Sequence, residues 1–457
     1  METAFTEDLQ AHRAQGIARL TELLEIPSIS TLEQHAPDMQ SAAQWLKREM
    51  ERSGFRASIE PTARHPVVWG TSPELPGRPR VLIYAHYDVQ PVDPLELWTS
   101  PPFQPTVRDD QLFARGVSDD KGQLVMHLLA LDSFRRVTGD FPANVVLVFE
   151  GEEEIGSPNL PAFIRRHQAE LKADAVVISD STLLAPGRPT LVTGLRGMAG
   201  FEVIVRGPDH DVHSGLFGGL IANPAAALVQ MLAACRDPNG HVAIPGFYDG
   251  VVPPPSAEVA RWQDGLVEPQ AVLAATGAKA LAGEEAYSLA ERLWSRPTFE
   301  VNGISSGVRA GQKTIIPALA HASVTCRLVV GQDAKRISRL VADFLATQAP
   351  PGVEVEVICH DASPASEVAI DSKAARLAMA ALEQGFGHPA QPVRQGASIP
   401  IVPVFQQVLE APVLLMGFGL ETDNFHSPNE HWHLGNLDLG LASMLAFWTG
   451  VAAGELV

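Results

Sequence analysis

The residues best equipped for chemistry fall into five short polar islands, four of which follow an apolar run or open a helix-like stretch. The first is His86-Tyr-Asp88, after the run ending at Tyr84. Residues i and i+2 of an extended segment project to one side, so Asp88 can accept the second imidazole proton of His86 and fix its tautomer for a metal. The second, Arg115-Gly-Val-Ser-Asp-Asp-Lys-Gly122, precedes a helical pattern. There Ser118, Asp119 or Asp120 reads either as a helix cap or as a ligand. The third, Phe149-Glu-Gly-Glu-Glu-Glu-Ile-Gly156, sets four carboxylates within five residues, a density that cations offset better than water does. Ile178-Ser-Asp180 ends another strand-like run, and Thr422-Asp-Asn-Phe-His426-Ser-Pro-Asn-Glu430 lies near the C-terminus, with His431 and His433 as rivals to His426. Together the islands offer His86, Asp119, Glu154, Asp180 and His426. A set of two histidines and three carboxylates suits two divalent ions bridged by one carboxylate.

Those islands need a scaffold, and the flanking patterns predict one. Apolar positions recur at helical spacing over Leu9–Glu25, Met39–Met50, Gln123–Val137 and Leu160–His167, and short apolar runs stand at Arg80–Tyr84, Asn144–Phe149 and Ala175–Ile178. Uniformly apolar strands separated by helices predict an α/β domain with a mainly parallel sheet covered on both faces. Ligands of such sheets bind beyond the carboxyl ends of the strands, where four of the islands fall. After about residue 190 the pattern changes. Gly200–Arg206, His321–Leu328 and Val353–Val357 alternate like half-exposed strands, with helix-like stretches at Pro224–Cys235 and Ala334–Ala346 between them. This predicts an inserted α+β domain at 191–367, with segments 1–190 and 368–457 forming the first domain and hinges at Thr190–Arg196 and Ser363–Glu367.

Composition narrows the function. The 457 residues include 34 Lys plus Arg against 53 Asp plus Glu, a net charge of −19 that disfavours nucleic acid and anionic membranes as partners and favours small molecules. At 46% hydrophobic and 19% charged, the chain is far from the disordered regime. Its three cysteines are dispersed, without a CxxC, which fits a reducing cytoplasm and argues against a disulfide framework or thiolate site. The polar, acidic N-terminus carries no export signal pattern, and the apolar stretch Leu439–Ala453 is short for a membrane span, so a buried C-terminal helix is expected.

The ordered set YAHYDVQP, RGVSDDKG, FEGEEEIGS, VISD and FHSPNE resembles the co-catalytic metallopeptidase family of carnosinases, cytosolic non-specific dipeptidases, glutamate carboxypeptidase, aminoacylase and succinyl-diaminopimelate desuccinylase. The resemblance covers nearly the whole chain and implies two divalent ions per subunit, zinc first, with manganese or cobalt as alternatives. It pairs His86 with Asp180 on one ion and Glu154 with His426 on the other, with Asp119 bridging both and a cis peptide between Asp119 and Asp120. It makes Glu153 the general base and Asp88 the partner of His86. The inserted domain becomes a lid and dimerisation domain. Asp211-Val-His213-Ser-Gly resembles the dipeptidase branch's histidine loop, whose imidazole reaches the neighbouring subunit's site and donates to the oxyanion, implying a homodimer. Asn302, Thr314, Arg327 and Ser398 resemble its substrate-binding side, with Arg327 fixing the terminal carboxylate. The stretch Arg394-Gln-Gly-Ala-Ser398 departs from the usual glutamate-glycine-glycine form.

The activity so implied is hydrolysis of the amide bond of dipeptides or similar small peptides, by a hydroxide held between two metals with a glutamate base. The competing enzyme reading is an N-acyl amino acid amidohydrolase of deacetylase or desuccinylase type. From another class comes a non-catalytic binding protein on the same scaffold, which would be expected to lack the base that Glu153 supplies.

Overall fold

The computed structural model describes residues 2–262, 266–307, 313–360 and 362–457. It divides into two compact units. One comprises Met1–Thr193, Val368–Val393 and Val404–Val457, the other Gly194–Glu367 and Arg394–Pro403.

The first unit is built on a mixed sheet with spatial order Arg56–Glu60, Val67–Thr71, Asn144–Glu150, Arg80–His86, Ala175–Ile178, Val413–Leu415 and Thr190–Leu195. The middle four run parallel. All four are apolar, three of them the runs read from the sequence, and they are buried along nearly their full length, as strands covered on both faces must be. The flanking strands are antiparallel. Register aligns His86 with Glu150 and Tyr84 with Ile178, so the islands following all three strands emerge at one carboxyl edge.

Five long helices pack with this sheet: Glu2–Leu24, Ala36–Arg52, Lys121–Thr138, Lys373–Phe386 and Leu434–Ala453. The first three are pinned together by Arg19, whose guanidinium donates to Glu49 at 2.6 Å and Asp132 at 2.7 Å. The last buries Leu437, Leu441, Met444, Phe447 and Trp448 in the core. Among the described residues no helix is long and apolar enough to cross a membrane. Gly122 is forced by packing: a Cβ there would strike the Val117 carbonyl and come within 2.7 Å of the Trp432 ring.

The second unit holds a four-stranded antiparallel sheet in the order Thr298–Ser306, Leu319–Leu328, Gly197–Arg206, Glu354–Cys359. Strand Leu319–Leu328 alternates as its sequence predicts. Ala320, Ala322, Val324, Cys326 and Leu328 are buried in a core shared with helices Pro224–Ala234 and Ala334–Thr347, which leaves Arg327 on the opposite face. The return of Arg394–Pro403 to this unit brings Ser398 beside Arg327.

Candidate metal centre

Each island of the first unit sits where its flanking element ends. His86 closes its strand, Asp119 and Asp120 immediately precede helix Lys121–Thr138, Glu153 and Glu154 lie in a single 3-10 turn after strand Asn144–Glu150, and Asp180 follows strand Ala175–Ile178. The Asp119–Asp120 peptide bond is cis. His426 has a left-handed backbone, φ 56°, in a segment where Asn424 and Asn429 share that conformation.

These side chains converge on Asp119. Its Oδ1 lies 3.0 Å from His86 Nε2, and its Oδ2 lies 2.9 Å from His426 Nε2. On the His86 side stands Asp180, 3.8 Å from the same nitrogen; on the His426 side stands Glu154, at 3.3 Å. Two groups able to hold a metal therefore share one carboxylate: His86, Asp119 and Asp180, and Asp119, Glu154 and His426. His431 and His433 are not part of either; they face Asp423.

The structure sorts the consecutive glutamates by their partners. Glu152 is buried and accepts hydrogen bonds from the Thr62 hydroxyl at 2.6 Å, the His65 N–H at 2.8 Å and the Asn159 amide at 2.8 Å. Glu154 faces His426 and accepts from the Gln90 amide at 2.7 Å. The Glu153 main-chain N–H donates to Asp88 at 3.2 Å. Glu150 accepts from Tyr84 at 2.5 Å and Ser157 at 2.8 Å, yet burial pushes its carboxyl up to about 8.

Asp88 differs from the expectation drawn from its spacing. Its main-chain carbonyl, not its carboxylate, is the nearer partner of His86 Nδ1, at 3.1 Å against 3.5 Å. The carboxylate turns instead to the N–H groups of Glu153 and Glu154 and so fixes the turn that carries them. The i,i+2 rule gives the side of the chain but not the competition from backbone donors.

Electrostatically the site is overloaded with negative charge. Burial raises Glu153, Glu154, Asp120 and Asp180 above the ordinary carboxylate range, and neighbouring carboxylates raise each further. For Asp119 burial acts the same way, but hydrogen bonds from His426 and His86 hold it low. Burial opposes charge on His86, yet its contacts with Asp119 and Asp88 leave it readily protonated. One oxygen of fully buried Asp120 has no hydrogen-bond partner. Divalent cations are the species that satisfy such a donor set, so the residues fit a two-metal centre.

Glu430, to which the sequence pattern assigned no task, ties the centre together. Its buried carboxylate accepts from Arg115 at 2.8 Å and from the main-chain N–H groups of Gly116, Ser118 and Asp119 at 2.8, 3.0 and 3.2 Å. An acid and a base each embedded in a chemical motif were the signal available in the sequence.

In the second unit, exposed His213 and Thr314 lie on neighbouring segments: His213 pairs with Ile315, and the Ser214 N–H donates to the Thr314 carbonyl. Arg327 donates to the Ser398 hydroxyl at 2.8 Å. Asn302 lies at a bulge in the exposed strand Thr298–Ser306. Arg196, which the sequence reading named only as a hinge end, is depressed to about 10 by burial and by the nearby Arg327 charge.

The sequence profile described as Peptidase family M20/M25/M40 matches residues 82–449. The chain is 30% identical over 473 aligned residues to the Cys-Gly metallodipeptidase DUG1 of Saccharomyces cerevisiae, covering 97% of each, and 29% identical over 394 to the Beta-Ala-His dipeptidase of Homo sapiens, covering 85% of this chain and 78% of that one. It superimposes on the structure of the di-peptidase Dug1p from Saccharomyces cerevisiae with a TM-score of 0.89 at 28% identity, covering 99% of each chain. On the metallo-carboxypeptidase Sso-CP2 from Sulfolobus solfataricus the TM-score is 0.88 at 30% identity, covering 96% of this chain and 99% of that one.

Proposed function

The chain belongs to Peptidase family M20/M25/M40, and from that premise we propose that it hydrolyses the amide bond of dipeptides at a centre of two divalent cations. The observation that carries this reading is the position of Asp119, each of whose oxygens faces a different histidine. His86, Asp180 and Asp119 would hold one cation, and His426, Glu154 and Asp119 the other. When bound, such a pair polarises an amide carbonyl and lowers the pKa of water. Zinc is our first choice, because nitrogen and oxygen ligands in this mixture suit it, with manganese and cobalt as alternatives.

Glu153 is the base in this reading. Its carboxylate makes no hydrogen bond to any described residue, and burial raises it, which favours taking a proton from water and returning it to the leaving amine nitrogen. Asp88 holds that glutamate in place through its main-chain N–H, and Glu152 braces the same loop against Thr62 and His65.

Arg327, with Ser398, Thr314 and Asn302, is our proposed anchor for the substrate's terminal carboxylate. The guanidinium is tied only to a neutral hydroxyl and has no acidic partner among the described residues, so it is free for a bidentate carboxylate. We further propose a homodimer in which His213 serves the partner's centre as oxyanion donor. Leu216, Phe217, Leu220 and Ile221, which follow His213, are all exposed, the composition of a covered surface rather than a wet one. A cytoplasmic location fits three free cysteines.

The test is a library of dipeptides assayed beside N-acetyl and N-succinyl amino acids on protein of measured metal content. Turnover confined to substrates with a free α-amino group supports the dipeptidase reading. Preference for the acylated set would replace it with an amidohydrolase, and no metal-dependent turnover of either set would remove the enzymatic assignment.

A further inference from the structure

Apart from the centre just described, one other trio of ligating side chains converges in the first unit among the described residues. Strand His431–His433 pairs with Gln111–Phe113, so its two histidines, at i and i+2, project to one side while Trp432 points into the core. That side faces Asp423, and one ligand atom from each of Asp423, His431 and His433 lies within 4.8 Å of the others.

The state of each group suits a cation. Asp423 is fully buried; its Oδ2 accepts from the Ser118 hydroxyl at 2.9 Å and the Leu420 N–H at 2.8 Å, but its Oδ1 has no hydrogen-bond partner. That bare oxygen faces His431 Nε2 at 4.0 Å, beyond hydrogen-bond reach. The other nitrogen of His431 is 3.0 Å from the Asn429 carbonyl, to which it donates, and this leaves Nε2 as the nitrogen with a free lone pair. The ring stacks on Phe113, and the Gln111 amide NH2 donates to His433 Nε2 at 2.9 Å, a hydrogen bond that an ion bound at that nitrogen would replace. His433 is only half-buried, which leaves an ion a path from solvent.

We propose that Asp423, His431 and His433 form a third metal site, separate from the two-cation centre, for a zinc-class divalent ion. Two imidazoles and one carboxylate are a common zinc donor set, with water completing the coordination. Bonds of about 2.1 Å would draw the three groups together by under an ångström or so, within side-chain freedom. Such an ion would bind the 423–433 segment to the loop that carries Asp119, because Asp423 holds Ser118 and Glu430 precedes His431.

The test is metal content of chelator-stripped full-length protein reloaded with zinc alone and desalted, in wild type, His433→Gln, His431→Gln, Asp119→Ala and Asp119→Ala/His433→Gln. The expected contents are about three ions per chain in wild type, two in either histidine variant, one in Asp119→Ala and none in the double variant. Zinc should raise the melting temperature of Asp119→Ala but not of the double variant, a readout that also exposes misfolding. A wild-type content that both histidine variants leave unchanged overturns the proposal, and means that a proton or water satisfies Asp423. If instead only Asp119→Ala leaves the content unchanged, the third site stands and the two-cation reading fails.

Discussion

Replacing Glu430 with glutamine should unseat Asp119 without touching any ligand. The buried carboxylate receives four donors, two on each oxygen: Arg115 and Gly116 on Oε2, Ser118 and Asp119 on Oε1. An amide can replace only one oxygen by an NH2 group, so whichever way it turns, two donors meet a donor. Arg115, 1% exposed, also loses its counter-charge. Stranding one member of a buried ion pair costs about 3–5 kcal/mol. At about 2–4 °C per kcal/mol for a domain of this size, the melting temperature should fall by roughly 6–20 °C. Against a typical total stability of about 5–15 kcal/mol the variant still folds, so metal content can be measured on it. The assay pairs thermal unfolding by circular dichroism with metal analysis, and both should drop. Glu430→Leu combined with Arg115→Met removes both charges but leaves the N–H groups of Gly116, Ser118 and Asp119 without an acceptor, so neither wild-type stability nor the metal should return. A Glu430→Gln protein with wild-type melting temperature and metal content would refute the reasoning.

Glu153→Gln should keep its metals and lose about 100-fold or more in turnover; a variant above about a tenth of wild-type rate would move the base to another residue. Asp180→Ala and His426→Ala should each remove one ion, as measured by mass spectrometry of the metal, because each serves a ligand group the other does not. His213→Ala and Glu153→Ala homodimers should both be nearly inactive, yet subunit exchange between them should restore roughly a quarter of wild-type activity, since half the dimers then hold one good site of two. Burial pushes the Cys235 thiol up to about 12 and Cys326 higher still, whereas Cys359 is exposed. The Cys359 thiol is raised too, so it is its exposure that sets it apart: iodoacetamide at about pH 8 should modify Cys359 alone in the native protein and all three cysteines in denaturant.

How much of this was legible beforehand follows from the range of each interaction. The four parallel strands and the long helices were readable because full burial leaves a local mark, an unbroken apolar run or a helical period. Strands Arg56–Glu60 and Val67–Thr71, short and partly polar, left a weaker mark, and the exposed strand Thr298–Ser306 left almost none. The sequence by itself determined that carboxylates and imidazoles gather at the carboxyl edge of a parallel sheet, and which residue types were available there. Only the tertiary structure decided among neighbours of the same type. Glu152 went to Thr62 and His65 while Glu154 went to His426, and His426 rather than His431 or His433 met Asp119. Only it turned the Asp88 carboxylate onto backbone N–H groups and joined Arg115 to Glu430 across 315 residues of chain. Spacing fixes the side on which a residue emerges, but its partner is chosen by groups from tens to hundreds of positions away, and burial makes leaving such groups unpaired costly.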